Sequence, residues 1–264
     1  MSLEKTDGVV LKTVEWSETS LIVTLFTRDF GKISAIAKGA RRLKSPFESA
    51  LDLLSLSSVV FLKKSGESLD LLTEAKLQRR FRSAQVGLLP LYCGYYAGEV
   101  INALTENHEP VAGLMESLCM TLQELDRQAS PAWTILDFEL QTIQRLGHMP
   151  SWRWCVACGE EIETDRQSIA FSPLGGGVLC PNCTPTQRGY LRIDRQTLQV
   201  LETRAAHLSR SDLAMELCEP TATRAPAILA PKVRAELRLV MEQVMLNLSE
   251  RRLRMLDFLG DLKR

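Results

Sequence analysis

Cys155-Val156-Ala157-Cys158 and Cys180-Pro181-Asn182-Cys183 are the short stretches around which the second half of the chain is organised. They are separated by 21 residues, Gly159 to Leu179. A C-x-x-C turn points both sulfurs at one place. A second such turn completes four thiolates at tetrahedral spacing, the donor set of structural zinc. Gly159 follows the first knuckle and supplies the positive φ such turns need, and Asn182 is expected to play a similar role in the second. Between the pairs, Ser168-Ile169-Ala170-Phe171-Ser172 and Gly177-Val178-Leu179 read as short strands, with Gly175 and Gly176 at the bend. The pattern predicts a zinc-ribbon-like hairpin over 155–183, with one structural zinc per chain held by Cys155, Cys158, Cys180 and Cys183. A disulfide pair and a thioredoxin-type redox motif compete with this reading. A redox motif needs only one C-x-x-C, and nothing in the sequence points to secretion. Four cysteines leave no open coordination position for water, which argues against a catalytic ion.

On both sides of the hairpin the apolar period is helical. Leu89 to Leu104 carries Tyr92, Tyr95, Tyr96, Val100 and Leu104 at helical spacing, and Asn107-His108-Glu109-Pro110 breaks it. Val111 to Leu125 is striped by Leu114, Leu118, Leu122 and Leu125. Ser130-Pro131 is a helix-start signal, and the stripe Leu136, Leu140, Ile143, Leu146 runs to a stop at Gly147. Asp194 is placed to cap a helix from Arg195 to about Ala206. Glu219 to Pro231 holds three prolines and reads as a loop. Pro231 opens a last helix striped by Val233, Leu237, Val240, Val244 and Leu248. The hairpin is therefore inserted within one helical domain, 81–264, which it braces.

The first 80 residues have a different period. Gly8 to Trp16, Ser20 to Thr27, Ile33 to Lys38, Leu56 to Leu62 and Leu69 to Leu77 read as five short strands. Arg28-Asp29-Phe30-Gly31 makes one of the turns. This is the signature of a small closed barrel, with the five-stranded OB fold leading and another small β-barrel as the alternative. The fold class is therefore α+β and multidomain: an N-terminal OB barrel over 1–80, then the helical domain with its inserted hairpin. Between strands three and four lies Lys38-Gly39-Ala40-Arg41-Arg42-Leu43-Lys44-Ser45. With Lys32 it brings five cations together, and its small residues allow a phosphate backbone to come close. The ordinary reading is a solvated loop; beside an oligonucleotide-binding barrel, a phosphate contact is favoured. Trp16, Phe26, Phe30 and Phe47 are the aromatic candidates for base stacking, with at least half expected in the core.

Composition sets the limits. The chain has 264 residues, 45% of them hydrophobic, enough for a real core. No apolar run reaches the ~18 residues a membrane span requires, and Met1 to Gly8 has no signal-peptide core. The seven cysteines fit a reducing cytoplasm, with Cys93, Cys119 and Cys218 expected as inert core thiols. Net charge is zero, but residues 1–85 carry 14 Lys and Arg against 10 Asp and Glu. Acidic residues are scattered, the three histidines lie far apart, and no P-loop is present. A nuclease or ligase is therefore disfavoured, while an RNA-binding accessory factor stays open.

Taken together, the motifs resemble the RecO family of bacterial recombination mediators over nearly the whole length. In the barrel the likeness rests on Gly8-Val9-Val10-Leu11, Glu18-Thr19-Ser20-Leu21-Ile22-Val23-Thr24-Leu25-Phe26-Thr27 and Gly31-Lys32-Ile33-Ser34-Ala35-Ile36-Ala37-Lys38-Gly39-Ala40-Arg41-Arg42. Further on it rests on Phe138-Glu139-Leu140, Leu146-Gly147-His148-Met149-Pro150, Phe171-Ser172-Pro173 and the two cysteine pairs. The resemblance implies a non-enzymatic, cytoplasmic and nucleoid-associated DNA repair mediator. It implies binding of single- and double-stranded DNA and annealing of complementary strands. It also implies partnership with RecR, with the acidic C-terminal tail of single-strand-binding protein, and with RecA, whose loading the family promotes. Lys32, Lys38, Arg41, Arg42 and Lys44 match the family's basic stretch and are the expected DNA contacts. An acidic tail needs an apolar slot rimmed by cations, for which Arg127 and Arg145 are the candidates. The chain departs from the family at Asp52-Leu53, where a Gln-Pro pair is expected before strand four.

Overall fold

A computed structural model of the chain describes residues 2–42, 45, 47–64, 68–127, 130–163, 166–214, 229–249 and 252–263. The chain divides into two compact units, Met1–Ala129 and Ser130–Arg264.

In the first unit, β1 (Ser2–Glu15), β2 (Leu21–Thr27), β3 (Gly31–Ala37), β4 (Leu56–Lys63) and β5 (Asp70–Arg79) close a barrel in the order β1-β2-β3-β5-β4. All neighbours are antiparallel except β3 and β5, which run parallel. This is the OB barrel expected from the strand spacing. The first strand is longer than its apolar pattern shows. Its first part pairs with β4 from Ser2↔Lys63 to Val9↔Leu56, and its second with β2 from Gly8↔Thr27 to Glu15↔Leu21. An irregularity between Val10 and Lys12 bends it from one neighbour to the other. Ser2 to Asp7 carries mostly polar side chains, so periodicity alone does not reveal that it is strand. Inward residues Val10, Val23, Leu25, Ile33, Ala35, Ala37, Val59, Phe61 and Leu72 fill the barrel with Phe47 and Leu51 of the 3₁₀ turn Glu48–Leu51. At Asp52-Leu53 the chain still reaches β4 in order. The Leu54 N–H donates to Val10 O at 2.8 Å, and the Val10 N–H to Ser55 O at 3.1 Å.

Helices α1 (Leu88–Leu104) and α2 (Leu114–Asp126) pack into this same compact unit. Close packing and paired polar groups explain why. A Cβ on Gly94 would lie 2.2 Å from the Phe81 ring, and one on Gly98 would lie 2.9 Å from Leu54. Leu54 is 3% exposed and holds a left-handed φ of 61°, a strain that this packing must offset. The stripe Leu114, Leu118, Leu122, Leu125 is buried as its spacing predicts. Arg28 pairs with Glu116, and Arg79 donates to Cys119 O at 3.0 Å. Cys93 is buried and Cys119 half-buried, its thiol pushed up by burial. Cys218 lies outside the described residues.

The second unit contains α3 (Pro131–Arg145), β6 (Ser168–Ser172), β7 (Gly177–Leu179), β8 (Leu191–Asp194), α4 (Arg195–Ala214) and α5 (Pro231–Ser249), then a 3₁₀ segment, Arg254–Lys263. Ser130 sits at the cap position of α3 but its hydroxyl makes no cap bond; its carbonyl accepts from the Thr134 N–H at 3.0 Å. The other end is a Schellman stop. His148 N–H donates to Ile143 O at 2.7 Å and Gly147 N–H to Gln144 O at 3.0 Å, with Gly147 at φ 77°. The hairpin strands stand where expected, and β8 extends them into a sheet β7-β6-β8. No apolar period marks β8, since its four residues bury only Ile193 and are too short to show one. The Asp194 carboxylate accepts the Gln196 N–H at 3.0 Å, the cap read from the sequence, and α4 runs beyond Ala206 to Ala214. Glu236 of α5 accepts from the Asp194 N–H and the Thr197 hydroxyl, each at 2.7 Å, which fastens the three elements. Between α3 and α5, Arg238 grips the fully buried Glu139 with bonds of 3.0 and 2.6 Å. Much of the proline-bearing stretch from Glu219 lies outside the described residues.

Candidate nucleic-acid interface and metal centre

The cysteine centre is built by two turns and one glycine. In the first turn, Gly159 N–H donates to Cys155 O at 2.8 Å, and Gly159 takes φ 77° as expected. In the second, Cys183 and Thr184 N–H groups donate to Cys180 O at 3.1 and 2.9 Å, leading into the 3₁₀ turn Thr184–Thr186. That continuation is right-handed, so Asn182 does not take the positive φ expected of it. The first turn is laid on β7: Val156 N–H donates to Val178 O, and Val178 N–H to Ser151 O, both at 3.0 Å. Gly177 permits this approach, since a Cβ there would stand 2.6 Å from Ser151 O.

The sulfurs of Cys155, Cys158, Cys180 and Cys183 all lie within 4.8 Å of one another, with Cys158 and Cys180 at 3.7 Å. A tetrahedral ion bonded to thiolates at about 2.3 Å requires sulfurs about 3.8 Å apart. The donor set therefore fits such an ion. Burial opposes ionisation of Cys155, but N–H groups of Cys180, Ala157 and Cys158 outweigh it and lower its thiol to about 6. Cys183 is pushed up to about 12 by proton sharing with Cys180 and Cys158. Four thiolates at this range repel, so a cation must replace the protons for all four to ionise.

The five cations of the basic stretch fare differently. Lys38, Arg41 and Arg42 are exposed where the chain leaves β3. Gly39 turns the chain there with φ 76°, and the Arg42 side chain lies over it. Lys38 and Arg42 make no ion pair with a described residue. Arg41 ties two loops together. Its N–H donates to Thr19 O at 3.1 Å, and its guanidinium donates to Ser17 O at 3.2 Å and pairs with Glu15 at 3.0 Å. Lys32 turns inward instead. Its ammonium donates to Asn102 O at 2.9 Å and to Thr105 O, the carbonyls that end α1. No local sequence signal marks this contact, because the helix end comes about seventy residues later. Lys44 lies outside the described residues. Lys63 stands over the Phe30 ring at 5.6 Å and pairs with Ser2, at the far end of β1 from Glu15.

Two family models match the chain: "Recombination protein O N terminal" over residues 1–81, and "Recombination protein O C terminal" over residues 87–213. A curated relative, "DNA repair protein RecO" of Rhodopirellula baltica, is 39% identical over 96% of this chain and 98% of its own length. The protein of the same name from Symbiobacterium thermophilum is 31% identical over 100% of this chain and 99% of its own. The chain belongs to the RecO family. Its work is therefore in DNA repair, and its N-terminal barrel is the RecO OB domain. Among the described residues, no helix is long and apolar enough to cross a membrane.

The second unit of this RecO protein also holds a slot of about 120 Å³ lined by Ser130, Ala132, Trp133, Leu136, Arg234, Leu237 and Arg238. Its lining is largely apolar, with Arg234 as the cation at its edge, since Arg238 is neutralised by Glu139. The Arg234 Nε is buried and has no hydrogen-bond partner among the described residues. Arg204 stacks over Trp133 at 4.5 Å and is itself fixed by Asp137 at 2.8 Å. Neither Arg127 nor Arg145 lines the slot: Arg127 is exposed beside Glu124 in the first unit, and Arg145 ends α3.

Proposed function

We propose that this chain is a non-enzymatic mediator of DNA repair and homologous recombination. It binds single- and double-stranded DNA, anneals complementary strands and, with RecR, helps load RecA onto DNA coated with single-strand-binding protein. The observation that carries the reading is the cationic turn Lys38–Arg42, tied by Arg41 to the β1–β2 loop at one end of an OB barrel. Phosphate neutralisation there is independent of sequence, as a protein that brings any two complementary strands together requires. Lys38, Arg41, Arg42 and Lys44 take the phosphate contacts, and Lys32 holds the surface in place through α1. The four cysteines hold one structural zinc, which stabilises the hairpin and takes no part in chemistry. The slot at Trp133 and Arg234 suits the acidic tail of single-strand-binding protein, with an apolar side chain in the slot and carboxylates on its rim. Action on DNA places the protein in the cytoplasm, at the nucleoid.

The experiment is affinity across a salt series for wild type and for Arg41→Glu with Arg42→Glu. Binding should weaken similarly for unrelated sequences. The salt slope should fall by about 0.7 per lost contact on single strands and about 0.9 on duplex. Strand annealing should fall in parallel. Equal slopes and affinities would move the DNA surface elsewhere, with Lys63 and Lys64 the next residues to change.

A further inference from the structure

The first 47 residues contain four aromatic side chains, and three of them are taken up in packing. Phe26 and Phe47 are 1% and 2% exposed, and Phe30 packs edge-on against Phe61 at 5.3 Å. Trp16 is 62% exposed. Its backbone is nevertheless fixed. Trp16 N–H donates to Ser20 O at 3.1 Å, and the Ser17 hydroxyl accepts the Ser20 N–H at 3.2 Å. The Arg41 guanidinium bonds Glu15 and Ser17, the residues on either side of the indole. An aromatic face and the cationic turn therefore share one end of the barrel.

The surface continues from the indole in a particular direction. Val14 pairs with Ile22, and Ile22 with Ile36, across β1, β2 and β3. Val23, Ala35 and Ala37 beside them are fully buried, so the pleat turns Val14, Ile22 and Ile36 outward. Val14 is 43% exposed. A short apolar ladder thus begins next to Trp16. Phosphates cannot cover an indole and a ladder of branched aliphatics, whereas unstacked bases can. A duplex keeps its base faces inside the stack, so only a single strand offers them.

We propose that Trp16 is a base-stacking platform, and that it gives this end of the barrel a preference for single-stranded over duplex DNA. The inference rests on the reading of the Lys38–Arg42 turn as a phosphate contact. Phosphates would follow the turn while a neighbouring base lies on the indole and the next ones cross Val14 and Ile22.

The test uses the full chain and three probes of about twelve nucleotides: oligothymidylate, an abasic oligomer of equal charge, and a duplex. Trp16→Ala should bind oligothymidylate roughly tenfold more weakly, within the five- to hundredfold range of base–aromatic stacking. It should bind duplex within about twofold of wild type, since duplex offers no free base face. Trp16→Phe, which keeps an aromatic face, should retain most of the affinity. Wild type should lose on the abasic oligomer about what Trp16→Ala loses on oligothymidylate, and the variant should lose little more. Tryptophan emission should be quenched by oligothymidylate in wild type and much less in Trp16→Phe. Equal losses on single strand and duplex, or no loss on either, would overturn the proposal. The two readings fail separately. Loss of single-strand affinity in Trp16→Ala alone would leave stacking standing and remove the basic turn. Loss in the Arg41 and Arg42 variant alone would do the reverse.

Discussion

Replacing Lys32 by Met separates architecture from DNA contact. The change keeps the aliphatic stem and removes the ammonium. That ammonium donates to Asn102 O and Thr105 O, two of the carbonyls left over at the end of α1. A hydrogen bond to a charged group contributes about 1.5–3 kcal/mol, and a cation at a helix C-terminus about 0.3–1 kcal/mol more. Two such bonds and the end charge together come to about 3–7 kcal/mol, and because the ammonium is only half-buried roughly half of that is expected, about 2–3 kcal/mol. For a chain of this size the loss corresponds to a drop of about 5–10 °C in the melting transition. DNA affinity and its salt slope should stay near wild type. The assays are thermal unfolding by circular dichroism and a binding salt series on the same preparations. A variant that melts like wild type but loses affinity, with a slope reduced by about 0.7, would refute the reasoning. The ammonium would then face the phosphates and not the helix end.

Purified protein should carry about one zinc per chain, and Cys180→Ser should lose it, loosen the hairpin and lower the melting temperature. A metal-free wild type with unchanged melting would contradict this. A peptide copying the acidic tail of single-strand-binding protein should bind more weakly as salt rises, and Arg234→Glu should remove binding while leaving DNA affinity alone. Binding that survives Arg234→Glu would place the peptide elsewhere. Asp194→Ala should cost about 1 kcal/mol at neutral pH through loss of the cap. The Gln196 N–H and the Lys232 ammonium hold the Asp194 carboxyl below its usual range. Its stabilisation is therefore present above the unfolded value of about 3.9 and is lost as pH falls through the folded value. Denaturation curves of variant and wild type should accordingly converge in acid. Curves that stay apart there would show that the cap is not electrostatic.

Local chemistry was legible in the chain itself. The two C-x-x-C pairs, Gly159 and the Ser168–Ser172 and Gly177–Leu179 strands specify the four-cysteine hairpin, because cysteine spacing and turn handedness are set by neighbours in sequence. The five strands and the stripes Leu114–Leu125 and Val233–Val244 follow from periods of two and of 3.6, which burial on one face imposes. Asp194 and Gly147 mark helix ends for equally local reasons. What tertiary structure decided is where separate segments meet. The ammonium of Lys32 belongs to a helix end at Asn102 and Thr105. Helix α1 joins the first unit because Gly94 and Gly98 admit Phe81 and Leu54. Leu191–Asp194 becomes a strand only when β6 offers it an edge. The arginines that line the slot are Arg234 and Arg238, brought to Trp133 from about a hundred residues away. Such pairings depend on loop closure and side-chain fit in three dimensions, and no sequence period encodes them.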